Sequence, residues 1–510
     1  MIYDDIIVGA GSSGAVLAAR LSEDRRRRVL LLEAGPDYAS VETTPHDLTD
    51  STWISVVRHD WGLKAEAVKG RDVEFPRGKV TGGSSAVNAT IALRGAPTDY
   101  DEWARLGNDE WAWERVLPFF CMLEDDQDEG GALHGRGGPI PIRRWRDGEL
   151  VPLQAAFRDV ARALGIPAVT DHNHPDARGV GPWPMNQRER LRVSTAIAYL
   201  LPARARANLS IRAGCLARRL VVDRGRAVGV EVEQGGPPEV VRGRRVTLAA
   251  GAIGSPAILL RSGVGPRTEL AALGIEPLVD VPGVGANLID HPLASVALVP
   301  RPGVCARTQP VVQIGARLTA PGSSEANDLQ MFMVSHADLT EIPAAMALIG
   351  APTVFAVAVS LQRPRSRGRV SLVSPDFHAA PRIELNYLDD GEDMRRMIES
   401  LRLAWRVAEH EAIGGSAERI AILTEEMMGV DEVVQGYLQM AVSTLYHPVG
   451  TARMGSADDP GAVVDQYGRV RGLDGVRVLD ASIMPNIPRA NTNLTCIMLA
   501  ERAAGWLREG

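Results

Sequence analysis

The chain has 510 residues, 45% hydrophobic and 23% charged, with 56 Lys plus Arg against 63 Asp plus Glu and a net charge of −7. At about 150 residues per domain this is roughly three domain equivalents, enough to bury a large core without a metal or disulfide staple. The composition excludes a disordered chain, the 51 glycines follow no three-residue period and so exclude a collagen, and the acidic balance argues against wrapping nucleic acid. Cys121, Cys215, Cys305 and Cys496 are too scattered for a zinc site or a disulfide framework, and predict free thiols in a reducing cytosol. The first predicted strand begins within a few residues of Met1, which leaves no room for a signal peptide and points to the cytoplasm.

In chain order, residues 5–8 (Asp5-Ile6-Ile7-Val8) predict a short apolar strand. Gly9-Ala10-Gly11-Ser12-Ser13-Gly14 follows at once, and residues 15–21 are helical in propensity and period. A second strand over 29–32 ends at Glu33. Gly9 permits the tight turn, Gly11 lets a pyrophosphate approach the backbone, and Gly14 lets helix and strand pack closely. The helix start at Ser12 and Ser13 offers free N–H groups and a partial positive charge to phosphates. Glu33, 19 residues beyond Gly14, can accept hydrogen bonds from a ribose diol. Together these parts predict a dinucleotide site, without separating NAD from FAD. The run Arg25 to Arg28 reads as a solvated loop.

Farther along, Gly82-Gly83-Ser84-Ser85 offers consecutive N–H groups and hydroxyls suited to phosphates or a flavin edge. Segment 125–140, rich in Gly and Asp and holding His134, reads as an exposed loop that could act as a lid. Strand-like runs fall at 209–212, 228–232 and 246–249. The stretch 344–361 reaches membrane-span length, but Gly350 and Pro352 interrupt it and 354–361 alternates near period two. It reads as a buried strand preceded by a loop. A strand at 369–372 and a helix over 392–410 suit an antiparallel sheet backed by helices.

Several longer blocks carry a family resemblance. The segment 76–88, Pro76-Arg77-Gly78-Lys79-Val80-Thr81-Gly82-Gly83-Ser84-Ser85-Ala86-Val87-Asn88, resembles the first signature of the glucose–methanol–choline (GMC) oxidoreductases. Segment 250–265, from Ala250-Gly251-Ala252 to Gly263-Val264-Gly265, is similar to the second. Asn287-Leu288-Ile289-Asp290-His291, His447-Pro448-Val449-Gly450-Thr451, Asp480-Ala481-Ser482 and Asn491-Thr492-Asn493 follow in the family's order. The resemblance implies FAD, which also suits Glu33-Ala34-Gly35. It implies an α/β FAD-binding Rossmann-type domain from residues 1–154, 195–295 and 441–510. A second, α+β substrate domain built on an antiparallel sheet would come from 155–194 and 296–440.

On the same ground the cofactor would be held by Gly9, Gly11, Ser12, Ser13, Gly14, Glu33, Ala34, Gly82, Ser84, Asn88, Ala89, Ala250, Gly251, Asp480, Ala481, Asn491 and Thr492. Some family members attach FAD through a histidine just before the asparagine of the first signature. Here that position is Val87, which predicts non-covalent FAD; separately, no metal is expected. The implied reaction is oxidation of a primary alcohol to an aldehyde by hydride transfer to flavin N5. His447 would be the general base and Asn491 its partner on the substrate oxygen, with Asn493 the other asparagine in reach. His291 reads as structural. Histidine suits the proton because its free pKa of about 6.5 lies near working pH.

The electrons would pass to O₂ or to another redox acceptor, with Leu445 and Tyr446 beside the flavin. The chain resembles bacterial furfuryl-alcohol and aryl-alcohol oxidases, and also the branch that reoxidises the peptide-derived cofactor mycofactocin. A hydroxynitrile lyase that keeps FAD is a further alternative. Trp53, Trp61, Trp183, Phe332, Met333 and Phe355 are apolar pocket candidates, each read first as core. Low aromatic content argues against a choline cage. The expected partners are a small-molecule alcohol and the acceptor. No nucleic acid and no transmembrane segment are expected, and the state is a monomer or small homo-oligomer.

Overall fold

The computed structural model describes residues 2–52, 54, 58–340 and 342–509. Strand β1 (Ile2–Val8), helix α1 (Gly14–Leu21) and strand β2 (Val29–Leu32) form the N-terminal βαβ unit. Ile6, Ile7 and Leu30 to Leu32 are buried on both faces of this sheet, which is why both strands read as continuous apolar runs. Strands β3 (Leu209–Arg212), β4 (Leu216–Asp223), β5 (Arg226–Glu233) and β6 (Glu239–Leu248) complete the path β3-β2-β1-β6-β5-β4. The β3-β2-β1-β6 part is parallel, and Val476–Val478 adds a further parallel strand beside the end of β6. β4 and β5 turn back antiparallel. Helix α2 (Gly251–Arg261) follows β6 directly.

A second seven-stranded sheet is antiparallel throughout. Its centre is β7 (Pro292–Pro300), β8 (Leu329–Asp338) and β9 (Thr353–Leu361). β7 runs through position 295, so the expected domain boundary falls inside a strand. Helix α3 (Gly391–Glu409) packs on β7 and β9. Its start is fixed by Asp390, whose side chain accepts from Glu392 N at 2.8 Å. Met331, Met333, Phe355 and Val357 point into the core beneath α3 with Leu401 and Ala404.

The stretch 344–361 is the buried strand β9, but a short helix, Pro343–Ile349, precedes it in place of a plain loop. Gly350 ends that helix at φ +73°, the left-handed conformation glycine favours. Among the described residues no helix is long and apolar enough to cross a membrane.

The C-terminal helix α4 (Thr492–Glu509) returns to the first sheet's side and packs on α1. Arg20 grips Glu501 with two bonds of 2.8 and 2.9 Å, and Tyr199 Oη donates to the same carboxylate at 2.7 Å. The expected exposed loop at 125–140 is corrected at its centre. His134 is buried, with Nδ1 3.1 Å from Glu124 and 3.2 Å from Asp126, and Nε2 3.0 Å from Asp171. Arg144 bridges Asp126 and Asp171, and Arg94 pairs with Glu124. Glu124, Asp126 and His134 have the residue types of a metal site, but these two guanidinium groups already balance the carboxylates.

Burial by itself would lower the His134 pKa; Asp126, Asp171 and Glu124 outweigh it and push it up to about 11. The folded pKa lies above the free value of about 6.5. Its contribution is therefore complete below that pH and is lost as pH rises toward about 11. His134→Ala would leave buried carboxylates short of a cation and should cost about 3–5 kcal/mol in urea unfolding. A loss below about 1 kcal/mol, the range of an exposed ion pair, would contradict a buried role.

Candidate active site

The cofactor cradle begins where β1 ends. Gly9 adopts φ +97°, and a Cβ there would lie 2.5 Å from the Ala249 carbonyl oxygen. A Cβ at Gly14 would lie 1.8 Å from Gly9 O, so only glycine lets α1 start this close to β1. Ser12 Oγ donates to Asn493 Oδ1 at 2.7 Å and Ser13 Oγ donates to Cys496 O at 3.0 Å. These bonds join the start of α1 to α4. Glu33 closes β2 with its carboxylate accepting from Ala10 N at 2.9 Å and Gly35 N at 2.8 Å. Burial pushes its pKa up to about 7, against the pull of those N–H groups.

A continuous cavity of about 530 Å³ runs from this cradle to the second sheet. That lies within the roughly 300–1,000 Å³ of small-molecule and cofactor sites. Gly9, Gly11, Ser12, Ser13, Glu33 and Ala34 line its first wall. Ser84, Asn88, Ala89, Ala250, Gly251, Asp480 and Ala481 also line it. His447, Asn491 and Thr492 line it as well. Gly14 and Gly82 lie behind it: Gly14 packs α1 on β1, and Gly82 turns the chain at φ +93° so that Gly83 reaches the cavity. Asp480 lines the cavity, but its oxygens are occupied. They accept from Gly251 N (2.8 Å), Ser255 Oγ (2.5 Å), Ser482 N (2.8 Å) and Ser482 Oγ (2.6 Å). These bonds orient the start of α2.

The His447 end is built around Asp290. Asp290 Oδ1 accepts from His447 N (2.7 Å) and His291 N (2.8 Å); Oδ2 accepts from Tyr387 Oη (2.6 Å) and Thr444 Oγ1 (2.5 Å). Thr444 Oγ1 also accepts from Tyr446 N at 2.7 Å, which holds Tyr446 at φ +66°. A tyrosine in the left-handed region is strained, and the strain turns the next side chain into the cavity. Asn491 Nδ2 lies 3.2 Å from His447 Nε2, and His291 Nδ1 lies 3.0 Å from His447 Nδ1. Burial, then the neighbouring His291 and Arg77, hold the His447 pKa well below the ordinary value. The imidazole is therefore neutral at neutral pH.

Strand β8 explains the remaining wall. Its alternation sends Gln330, Phe332 and Val334 into the cavity and Met331 and Met333 into the core. Phe332 and Trp61 thus line the cavity, which corrects their first reading as core. Met333, Phe355 and Trp183 are buried away from it, and Trp53 lies outside the described residues. Leu445 and Tyr446 line the cavity beside His447, whereas Asn493 is turned to Ser12. Sequence reasoning missed Asp290, Tyr387 and Thr444. The only signal was the Asp290-His291 pair within a motif.

Residues 3–293 and 364–500 match the N- and C-terminal sequence models of the GMC oxidoreductases, so the chain belongs to that family. It is 35% identical to an oxygen-dependent choline dehydrogenase of Photobacterium profundum, over 98% of this chain and 92% of that one. It is also 35% identical to a 5-(hydroxymethyl)furfural oxidase of Methylovorus sp., over 99% and 98%. The crystal structure of pyridoxine 4-oxidase from Mesorbium loti superimposes with a TM-score of 0.90 at 32% identity, covering 100% of this chain and 99% of that one. The protein is a FAD-dependent flavoenzyme acting on CH–OH groups. The glycine cradle, the free start of α1 and buried Glu33 fit that dinucleotide.

Val87 supplies no nucleophile where a covalent link would form. Acid precipitation should therefore release the flavin into the supernatant. Yellow colour that stays with the pellet would contradict this.

Proposed function

We propose that the enzyme oxidises an uncharged primary alcohol to the aldehyde. His447 takes the hydroxyl proton and Asn491 holds the alcohol oxygen. The observation that carries this reading is the His447–Asn491 pair, 3.2 Å apart at the point where the cofactor cradle meets the second sheet. FAD, when bound, supplies the hydride acceptor at N5. The side chains do the rest. A neutral imidazole offers a lone pair at Nε2, and the Asn491 amide N–H directs an alcohol oxygen toward it without titrating. The apolar wall excludes water from the reacting atoms. Electrons leave to O₂ or another acceptor.

The substrate class follows from that wall. Ile91, Leu293, Val311, Phe332, Val334 and Leu445 are apolar. The polar group among them is the Gln330 amide, whose Nε2 has no hydrogen-bond partner. A quaternary ammonium needs a carboxylate or an aromatic cage. The Trp61 ring is already taken by Lys79, whose Nζ lies 4.7 Å from its centroid. An uncharged alcohol with a hydrogen-bonding oxygen for Gln330 suits the cavity; choline does not.

His447→Ala should slow anaerobic flavin reduction by about 10²- to 10⁴-fold with flavin content intact. Near-normal reduction in that variant would sink the role. The lowered pKa also sets the pH dependence: a base neutral in the fold stays competent as pH falls below about 6.5. The wild-type reduction rate should therefore stay level from pH 8 into the acid range. A rate that collapses near pH 6.5 would argue against the lowered pKa. Benzylic or furfuryl alcohols should bleach the flavin faster than choline at equal concentration; the opposite order would overturn the substrate class.

A further inference from the structure

We infer that His291 is a positioning residue that fixes the tautomer of His447 and so makes Nε2 the basic atom. The inference rests on the reading of His447 as the base.

His291 is the last residue before β7 and is fully buried. Its ring stands nearly perpendicular to that of His447, at 86° with centroids 5.2 Å apart. The two Nδ1 atoms are 3.0 Å apart. Two ring nitrogens at that distance need one N–H and one lone pair. Burial holds both imidazoles neutral, with His291 lowered to about 3, so each ring carries one proton. Two arrangements remain. If His291 donates, the proton of His447 sits on Nε2 and no base faces the cavity. If His447 donates, its Nε2 carries the lone pair.

The surroundings of His291 decide between them. Its Nε2 is enclosed and has no hydrogen-bond partner. The backbone carbonyls of Gln362 and Pro488 face the ring. Carbonyl oxygens attract an N–H, and since Nδ1 already faces His447 at 3.0 Å, they favour the His291 proton on the other nitrogen, Nε2. Its Nδ1 is then an acceptor, and His447 must donate. The polarity runs one way, from the Asn491 amide to His447 Nε2, from His447 Nδ1–H to His291, and on toward the carbonyls. Other charged groups near the pair are already engaged. Arg363 is bonded to Glu102 at 2.5 Å, Asp290 makes four bonds of its own, and Arg77 donates to Tyr446 O at 2.9 Å.

The arrangement differs from a histidine oriented by a carboxylate. A carboxylate on Nδ1–H raises the imidazole pKa, whereas a neutral imidazole orients the ring without doing so. When Nε2 takes the hydroxyl proton, His447 becomes an imidazolium that still donates through Nδ1 to His291. As that proton arrives, the Asn491 N–H leaves Nε2 for the alcohol oxygen, and no second proton moves.

Two measurements on the holoenzyme test this. In protein labelled with ¹⁵N-histidine, the His447 signals, assigned by their loss in His447→Ala, should show the neutral ring protonated at Nδ1. Protonation at Nε2 would overturn the inference, whatever the activity of His447→Ala. In kinetics, His291→Phe removes the acceptor and should slow anaerobic flavin reduction roughly 10²-fold per bound flavin, with KM little changed and the pH profile shifted. His291→Asn, which can offer a carbonyl oxygen to Nδ1–H, should recover at least about 10-fold of that loss. If His291→Phe reduces its flavin at the wild-type rate and pH profile, His291 is only structural and the inference fails. Should His447→Ala also keep its rate, the base reading fails separately.

Discussion

The buried carboxylate of Asp290 is the constraint on which the site depends. Its four hydrogen bonds draw together the approach to β7, Tyr387, Thr444 and the backbone of His447, from segments up to 157 residues apart in the chain. Burial raises the pKa of such a group, and its four donors work against that by favouring the charged form. With the carboxylate satisfied, the strained Tyr446 has a fixed neighbour at Thr444. His447 then enters the cavity at one angle. Without Asp290 the segment 444–447 would lose its anchor, and the imidazole its register against Asn491.

Three buried histidines show how neighbours set charge in one fold. His134, ringed by three carboxylates, is a cation at neutral pH with a pKa of about 11. His291, faced by carbonyls and a second imidazole, falls to about 3. His172, deep against Trp183 with Arg317 nearby, falls to about 3 as well. Desolvation lowers all three, and only a carboxylate within hydrogen-bond reach reverses it. The same rule keeps His447 a neutral base and reserves the cationic histidine for a structural network at the 125–140 segment.

Much of the first domain was legible in the sequence because its constraints are local. Gly9, Gly14 and Glu33 each answer a steric or polar need within a few residues of their own strand. The strands at 29–32 and 209–212 appear where their apolar runs predict them. The second domain was less legible because its contacts are distant. Gln330 and Phe332 reach the cavity through alternation along β8, and nothing in the local pattern says which face meets the cofactor. His134 looked like a loop residue because its partner Asp171 lies 37 residues away. His291 looked structural because its function, if it orients His447, is visible only in a contact spanning 156 residues. Asp480 lines the cavity, but its bonds to serines and the α2 backbone, up to 229 residues away, have no local sequence signal.

The most direct measurement is anaerobic stopped-flow reduction of the holoenzyme by a benzylic alcohol and by the same alcohol deuterated at the reacting carbon, followed at the flavin band near about 450 nm. Alcohol oxidation at this site predicts bleaching whose rate slows on deuteration, because the carbon-bound hydrogen leaves as the flavin is reduced. A flavin that stays oxidised with this alcohol and with furfuryl and aliphatic alcohols would contradict it.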